Sequence, residues 1–527
     1  MLESPLVRAP DERSGALLRN TGRPSDVSHA VNGSPPSLDR GRPLAALVSA
    51  FPGRPVEVRG GDLETRILDV TYRSGDVRAG SLFFCVPGLQ ADGHSFAPAA
   101  VSAGAIALVV ERWLALDALQ ILVPSVRRAM GPMSAAFFGR PSERLAVVGV
   151  TGTNGKTTTT YLLESIFAAG GIRPGVVGTT GVRIGGRTVP FERTTPEAPD
   201  LQRLLAQMAG GGVGAVAMEV SSHGLHQRRV DGSRFTCAVF TNLSQDHLDY
   251  HGTMEDYLAA KARLFTPELS ARAVVNADSP EGRRLLEVGA IPTLSFGVRA
   301  NADLAASYVE VTEQGIRFRV GDVEVRSRLR ARFNVENCLG AFAAARQLDM
   351  EDRAIVEGIA SMEGVPGRLE PVEAGQPFPV LVDYAHTPDS LENVLEATRP
   401  LAARRLIVVF GCGGDRDRTK RPLMGEAATA LADLTVLTSD NPRSEDPLAI
   451  IGEIEAGAIR GGGTYEVEPN RRAAIAAAFA AAGPGDVVVI AGKGHETGQE
   501  FADRTVPFDD RVVAREELER LWPGEST

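Results

Sequence analysis

Leu145 to Thr160, LAVVGVTGTNGKTTTT, decides the fold. Its first part, Leu145 to Val150, is short, apolar and β-branched, as befits a strand buried on both faces of a parallel sheet. From Thr157 onward, Leu162, Leu163, Ile166 and Phe167 recur on one helical face until Gly170 and Gly171 stop it. A strand that enters a helix through glycines turns backbone N–H groups and the positive end of the helix dipole toward whatever occupies the turn, which is therefore a phosphate cradle. Lys156 supplies a point charge for the β and γ phosphates, and the Thr157 hydroxyl is placed for a magnesium ion. The strict pattern G-x-x-x-x-G-K-[ST] needs glycine at position 150, where this chain has Val150, so an ordinary kinase or GTPase loop is disfavoured.

Outward from this stretch, apolar runs end in polar clusters again and again. Val213 to Val220 runs into Met218-Glu219-Val220-Ser221-Ser222-His223-Gly224, and Phe235 to Leu243 runs into Asn242 to Gly252, NLSQDHLDYHG. In doubly wound α/β sheets the ligand lies beyond the carboxyl ends of the strands, so these clusters converge with the phosphate loop on one edge. After Pro366-Gly367-Arg368, further strand candidates are Val380 to Asp383, Leu406 to Phe410, Leu434 to Thr438 and Val487 to Ile490, each followed by a polar loop. They describe a second, Rossmann-like sheet with its own binding edge. Before the phosphate loop, Gly80 to Val86 and Gly104 to Val110 read as strands of a smaller α/β unit, with the turn-rich loop Pro87 to Gly93 between them.

With 527 residues the chain exceeds one core, and roughly 150 residues per domain suggests three domains. The expected architecture is α/β: a disordered extension over 1–40, a small N-terminal α/β domain over 41–140, a central P-loop ATPase-like parallel sheet over 141–366 and a C-terminal Rossmann-like domain over 367–527. Arg140-Pro141-Ser142 reads as the first linker. A net charge of −10 argues against nucleic acid or an anionic membrane as partner, so phosphate must be held locally. Cys85, Cys237, Cys338 and Cys412 lack C-x-x-C spacing, which suggests a reducing compartment and neither a disulfide framework nor a zinc site. No apolar stretch reaches the ~18 residues of a membrane span, and no signal-peptide core is present, so a cytoplasmic protein is expected, with a monomer as the default.

Glu219 and His247 each follow a buried strand, where a titratable group is costly without a partner. Magnesium at the phosphate loop suits the Glu219 carboxylate; His247 reads equally as a metal ligand or a hydrogen-bonded structural histidine. Lys261, in the helical stretch Tyr257 to Phe265, reads by itself as a solvated surface lysine.

Taken together, Thr151 to Thr158 (TGTNGKTT), Met218 to Leu225 (MEVSSHGL), Thr241 to Gly252 (TNLSQDHLDYHG), Asp383 to Pro388 (DYAHTP), Asp440 to Arg443 (DNPR) and Gly492 to Glu496 (GKGHE) closely resemble the Mur ligase family, in family order over about residues 60 to 515. The resemblance implies an ATP-dependent ligase of cytoplasmic peptidoglycan synthesis. It would add meso-2,6-diaminopimelate to the D-Glu γ-carboxylate of UDP-MurNAc-L-Ala-D-Glu through an acyl phosphate. Two magnesium ions are implied, with ATP as co-substrate and a CO2-derived carbamate on Lys261. Lys156, Glu219, His247 and Lys261 match catalytic positions, and Thr157, Glu219, His247 and carbamylated Lys261 match metal positions. The ATP positions are Gly152, Thr153, Asn154, Gly155, Lys156, Thr157, Thr158, Asn334, Arg368 and Asp383. Because Arg368 and Asp383 come from the linker and the third domain, domain closure should complete the nucleotide site.

For the UDP-sugar dipeptide, the resemblance points to Tyr72, Ser74, Leu89, Gln90 and Ala91 in the first domain and to Arg193, Thr194, Thr195, Ser221, Gln227 and Arg229 in the second. Family members often carry Asp-Ser-Arg where this chain has Arg73-Ser74-Gly75, which bears on uridine contact. For diaminopimelate it points to Arg416, Asp440, Asn441, Pro442, Arg443, Gly492 and Glu496. The distal end of diaminopimelate is a full amino-acid head group, so a selective site needs a cation for the carboxylate, here Arg443 aided by Arg416, and an acceptor for the ammonium, here Glu496. meso- and LL-diaminopimelate offer the same groups and differ only in stereochemistry.

Overall fold

The computed structural model describes residues 41–51, 56–88, 91–189, 191, 193–312 and 314–522. The expected extension over 1–40 and the candidate substrate residues Leu89 and Gln90 lie outside the described residues.

Among the described residues three larger sheets divide the chain, beside two two-stranded ones. The first has the order Glu57–Arg59, Leu119–Leu122, Ala105–Val110, Ser81–Phe84, Asp69–Thr71, and its last four strands are parallel. Among the described residues the central sheet has eleven strands. Within its parallel part lies Ala146–Thr151, which pairs in parallel with Ala215–Glu219 on one side and Phe235–Phe240 on the other. All six residues of Ala146–Thr151 are buried, which explains why the sequence there is an unbroken apolar run. The chain continues into the helix Lys156–Ala169, and Glu219 and Thr241 leave the two neighbouring strands at the same edge.

The sheet extends beyond its parallel centre into antiparallel ribbons that the apolar pattern does not announce. One comprises Gly181–Ile184 and Arg187–Val189; the other comprises Leu304–Thr312, Gly315–Val320 and Val323–Ser327. The third sheet has the order Glu370–Pro371, Val380–Asp383, Val487–Ala491, Leu406–Phe410, Leu434–Leu437, Tyr465–Val467. Inserting Val487–Ala491 between Val380–Asp383 and Leu406–Phe410 brings the loops after all three strands to one carboxyl edge.

Arg140-Pro141-Ser142, expected as the first linker, is packed in place. Pro141–Glu143 forms a short turn in which Pro141 and Ser142 are buried, and Ser142 Oγ accepts from the Arg234 backbone N–H at 2.9 Å. All four cysteines are unpaired and buried in the interior.

The helix Asp352–Ser361 crosses Lys156–Ala169 at Gly358, where an added Cβ would lie 2.4 Å from Ile166 Cα. Backbone rather than a yielding side chain faces this glycine. Gly358→Ala is therefore expected to lower stability by about 1–3 kcal/mol, read as a fall in the denaturation midpoint.

Candidate active site

The phosphate loop is moulded on the segment that follows Phe235–Phe240. Asn242 accepts from the Thr153 N–H through its carbonyl at 3.0 Å and from the Asn154 N–H through Oδ1 at 2.8 Å. Thr241 Oγ1 donates to the Asn154 carbonyl at 2.6 Å. Gly152 lies so close to this segment that a Cβ would sit 1.9 Å from Thr241 Oγ1. Lys156 Nζ donates to the carbonyls of Gly152 and Thr153 at 2.9 and 2.8 Å.

Lys261 is not at the surface as its sequence context suggests: it is 1% exposed, and its Nζ donates to the Gly152 carbonyl at 2.8 Å. The helix Met254–Ala262 buries Tyr257, Leu258, Ala260 and Lys261, so the lysine belongs to the packed face and reaches the loop across 109 residues of chain. Burial, with the Lys156 charge beside it, holds the Lys261 amine well below the usual lysine range. Burial also lowers Lys156, while Glu219 and Asp246 oppose that shift.

Glu219 is 1% exposed. Thr179 satisfies both of its oxygens, donating its backbone N–H to Oε1 at 3.0 Å and its hydroxyl to Oε2 at 2.9 Å. His247, with φ of 55°, places Nε2 3.2 Å from Asp246 Oδ2. Burial pulls the His247 imidazole down to about 3, against the pull of Asp246, so at neutral pH it is uncharged with a lone pair to offer. Burial pushes Asp246 up, but His247, His386 and Lys420 outweigh it and hold the carboxyl at about 2. Among the described residues no three His, Cys, Asp or Glu side chains form a metal cage. Hard oxygens at Thr157 and Glu219 beside a phosphate cradle nevertheless fit magnesium, which binds through one or two protein oxygens, waters and the phosphates of a substrate.

A cavity of about 550 Å³ opens beside the loop, lined by Asn154, Thr157, Asn334, Asn337, Arg368 and Asp383 among others. Three of the residues expected around the nucleotide, Asn334, Arg368 and Asp383, thus join the loop around one space. The third domain is seated against it: Arg368 Nη2 donates to Thr157 Oγ1 at 3.3 Å, and Asp389 Oδ2 accepts from Asn154 Nδ2 at 2.7 Å and Ser244 Oγ at 3.1 Å. Asp383 accepts from the N–H groups of Leu369 and Ala385. Asp389 was not among the expected residues; its partners lie 235 and 145 positions away in sequence.

The substrate candidates of the central domain form one connected network. Thr194 Oγ1 lies 3.1 Å from Thr179 Oγ1, and Thr195 Oγ1 donates to the Glu219 carbonyl while accepting from the Ser221 N–H. Arg229 donates to the Thr195 carbonyl and to Gln227 Oε1. The residue that organises the cations is Glu197, buried and contacted by Arg193 at 2.7 Å, Arg127 at 2.6 Å and Arg229 at 3.1 Å. Three arginines around one glutamate leave a net positive cluster suited to an anion. In the first domain Tyr72 is engaged in the interface, with its hydroxyl donating to Asp200 Oδ2 at 3.0 Å and accepting from Arg73 Nε at 2.9 Å. Ser74 begins a single turn to Asp76, and Ala91 is exposed.

On the third sheet, Arg443 adopts φ of 51° and anchors its side chain on the Gly414 carbonyl at 2.9 Å and Glu500 at 2.8 Å. Both arginines border Gly413: a Cβ there would lie 3.0 Å from Arg443 Nη1 and 3.8 Å from Arg416 Cγ. The positive charge of Arg416 is among those that lower His223 of the central domain, after burial itself, to about 4. The Asp440 carboxylate accepts from the Asn441 N–H, and Pro442 O packs so close to Gly414 that a Cβ there would meet it at 1.9 Å. Gly492 is likewise closed in, its missing Cβ 2.6 Å from Asp440 Oδ2. Asn441 Nδ2 donates to Glu496 Oε2 at 2.8 Å.

Comparison with known proteins agrees along the chain. Residues 66–137 match the Mur ligase family catalytic domain, 150–345 the Mur ligase middle domain and 367–494 the Mur ligase glutamate ligase domain. A protein of Geobacillus thermodenitrificans named UDP-N-acetylmuramoyl-L-alanyl-D-glutamate–2,6-diaminopimelate ligase is 48% identical over 484 residues, covering 90% of this chain and 98% of that relative. A Streptomyces avermitilis protein of the same name is 46% identical over 502 residues, covering 91% and 96%. A solved structure described by that name superposes with a TM-score of 0.63 at 35% identity, covering 88% of this chain and 96% of the other.

Proposed function

The chain belongs to the Mur ligase family, and on that premise we propose that it is the ATP-dependent ligase that adds 2,6-diaminopimelate to the D-Glu γ-carboxylate of UDP-MurNAc-L-Ala-D-Glu in peptidoglycan synthesis. A carboxylate is a poor electrophile. Phosphorylation by ATP turns its oxygen into a leaving group, the incoming amine attacks the acyl phosphate, and the tetrahedral intermediate collapses to amide and phosphate. We place the domain boundaries near 141 and 367, the cytoplasm as the site of action and a monomer as the working form. Among the described residues no helix is long and apolar enough to cross a membrane.

The observation that carries this reading is the cross-domain seating of Arg368 on Thr157 and of Asp389 on Asn154, which brings the loops of the third sheet to the phosphate loop. In the reading, N–H groups of Gly152 to Thr158 and the Lys156 ammonium receive the phosphates, with Asn334, Arg368 and Asp383 around the nucleotide. Thr157, Glu219 and neutral His247 hold magnesium, with Lys261 as a carbamate; the metal, when bound, offsets the charge that gathers as phosphoryl oxygens and carboxylate approach. Thr194, Thr195, Ser221, Gln227 and Arg229 hold the peptide, and the Arg193–Glu197–Arg127 cluster receives its anionic groups. Arg416 and Arg443 take the distal carboxylate of diaminopimelate.

Thr179 aims Glu219 by supplying a donor to each oxygen. Thr179→Val removes one of the two and should weaken magnesium binding about 10- to 100-fold, seen as a higher metal concentration for half-maximal turnover at saturating ATP. The reading as a whole is tested by phosphate release with ATP, magnesium and UDP-MurNAc-L-Ala-D-Glu, comparing meso-diaminopimelate, LL-diaminopimelate and L-lysine. Release with a diaminopimelate alone is expected; release with lysine alone would overturn the amino-acid assignment, and release with none would overturn the ligase assignment.

A further inference from the structure

Lys493 is a cation with no assigned task in a place where a cation is costly. Its side chain is 0% exposed, whereas that of its partner Glu496 is 31% exposed. The glycines on either side turn it inward: Gly492 has φ of 113° and presses on Asp440, and Gly494 has φ of 53° and packs against Tyr384, where a Cβ would meet Tyr384 Cβ at 2.7 Å. The loop is therefore held at both shoulders, and the side chain between them points under the binding edge.

There Lys493 Nζ donates to Asn441 Oδ1 at 2.9 Å and to Glu496 Oε2 at 3.0 Å. Asn441 Oδ1 also accepts from the Glu500 N–H at 3.0 Å. Two donors converging on that atom identify it as the oxygen and fix the orientation of the amide, so Nδ2 is the group that faces Glu496 Oε2, 2.8 Å away. Glu496 Oε2 is thus filled by an ammonium and an amide, which leaves Oε1 as the acceptor of that carboxylate.

We propose that Lys493 is a positioning residue for amino-acid selection: by holding Asn441 and one oxygen of Glu496 from beneath, it fixes the other oxygen of Glu496 as the receptor for the distal ammonium of the incoming amino acid. The proposal rests on the ligase reading given above. A site built to hydrogen-bond a substrate ammonium rejects the analogue that lacks it, because the acceptor is then left unpaired. Without Lys493 the amide is free to flip and the carboxylate to turn, and the discrimination declines even though Arg416 and Arg443 remain.

The test compares the wild-type chain with Lys493→Met and Lys493→Gln, using diaminopimelate and 2-aminopimelate, which has the distal carboxylate but no distal ammonium. For Lys493→Met the KM for diaminopimelate should rise about tenfold, with the KM values for ATP and for the UDP-linked dipeptide unchanged. The preference for diaminopimelate over 2-aminopimelate should narrow by a similar factor. Lys493→Gln keeps a donor for Asn441 and should fall between the two. Combined with Glu496→Gln, Lys493→Met should add little, since both act on one acceptor. Undiminished preference in Lys493→Met, or an equal loss for all three substrates, would overturn the proposal. So would variants that no longer show an ATP-induced rise in Tm, because their defect would then be loss of the fold. Failure of the wild-type chain to use diaminopimelate at all would instead refute the ligase reading on which the proposal stands.

Discussion

Lys261→Ala should reduce turnover on the order of a thousandfold, the kinetic equivalent of about 4 kcal/mol in transition-state stabilisation. The native side chain is buried, bonded to the Gly152 carbonyl and 4.4 Å from the centre of the Tyr257 ring. Burial and the neighbouring Lys156 charge favour the neutral amine. A neutral amine adds to carbon dioxide: nitrogen forms a bond to carbon, a proton departs to solvent, and a carbamate replaces a would-be cation with an anion. Under the proposed function, such a group beside Lys156 would relieve the repulsion between two buried lysines and would supply an oxygen ligand to magnesium. Alanine leaves space at that position, so formate or acetate should restore part of the activity. Turnover equal to wild type in the variant would refute the role, and an unchanged Tm separates lost chemistry from lost structure.

Arg443→Ala should lower kcat/KM for diaminopimelate by the equivalent of about 2 to 5 kcal/mol, or roughly 30-fold to several-thousand-fold. Its side chain is tethered to Gly414 and Glu500 beside Arg416, so the guanidinium is pre-positioned rather than free to swing. The KM values for ATP and for the UDP-linked dipeptide, whose binding does not involve the distal carboxylate, should show little change. Arg443→Lys keeps the charge and loses the planar fork, and should recover only part of the loss. Recovery by Arg443→Lys as complete as wild type, or an equal rise in KM for all three substrates in Arg443→Ala, would mean that Arg443 supports the loop and reads no carboxylate.

The strands that organise the sites were legible because they are buried on both faces. Val380–Asp383 and Leu406–Phe410 end in the structure where their apolar runs end in the sequence. The ribbon Leu304–Ser327 was not foreseen, since its first strand is largely exposed and offers no continuous apolar signal. Candidate residues at strand ends, such as Glu219, could be named from position. Lys261 could not: a lysine in a nine-residue helix reveals its burial only when the loop it packs against is known. Glu197, Asp389 and Thr179 share that difficulty, because their significance lies in partners from other elements, up to 235 positions distant for Asp389. Lys493 stood in a recognised loop, yet only the orientation of Asn441 gives it a task.

The concealment of every thiol has a practical consequence for watching this protein work. Burial pushes Cys85, Cys237, Cys338 and Cys412 up to about 12, so at neutral pH none is a competitive nucleophile. Cysteines introduced at Val288, 73% exposed on the central domain, and at Leu448, 59% exposed on the third, would take maleimide dyes in an otherwise native background. Energy transfer between those dyes would report whether the third domain moves relative to the central one during a catalytic cycle.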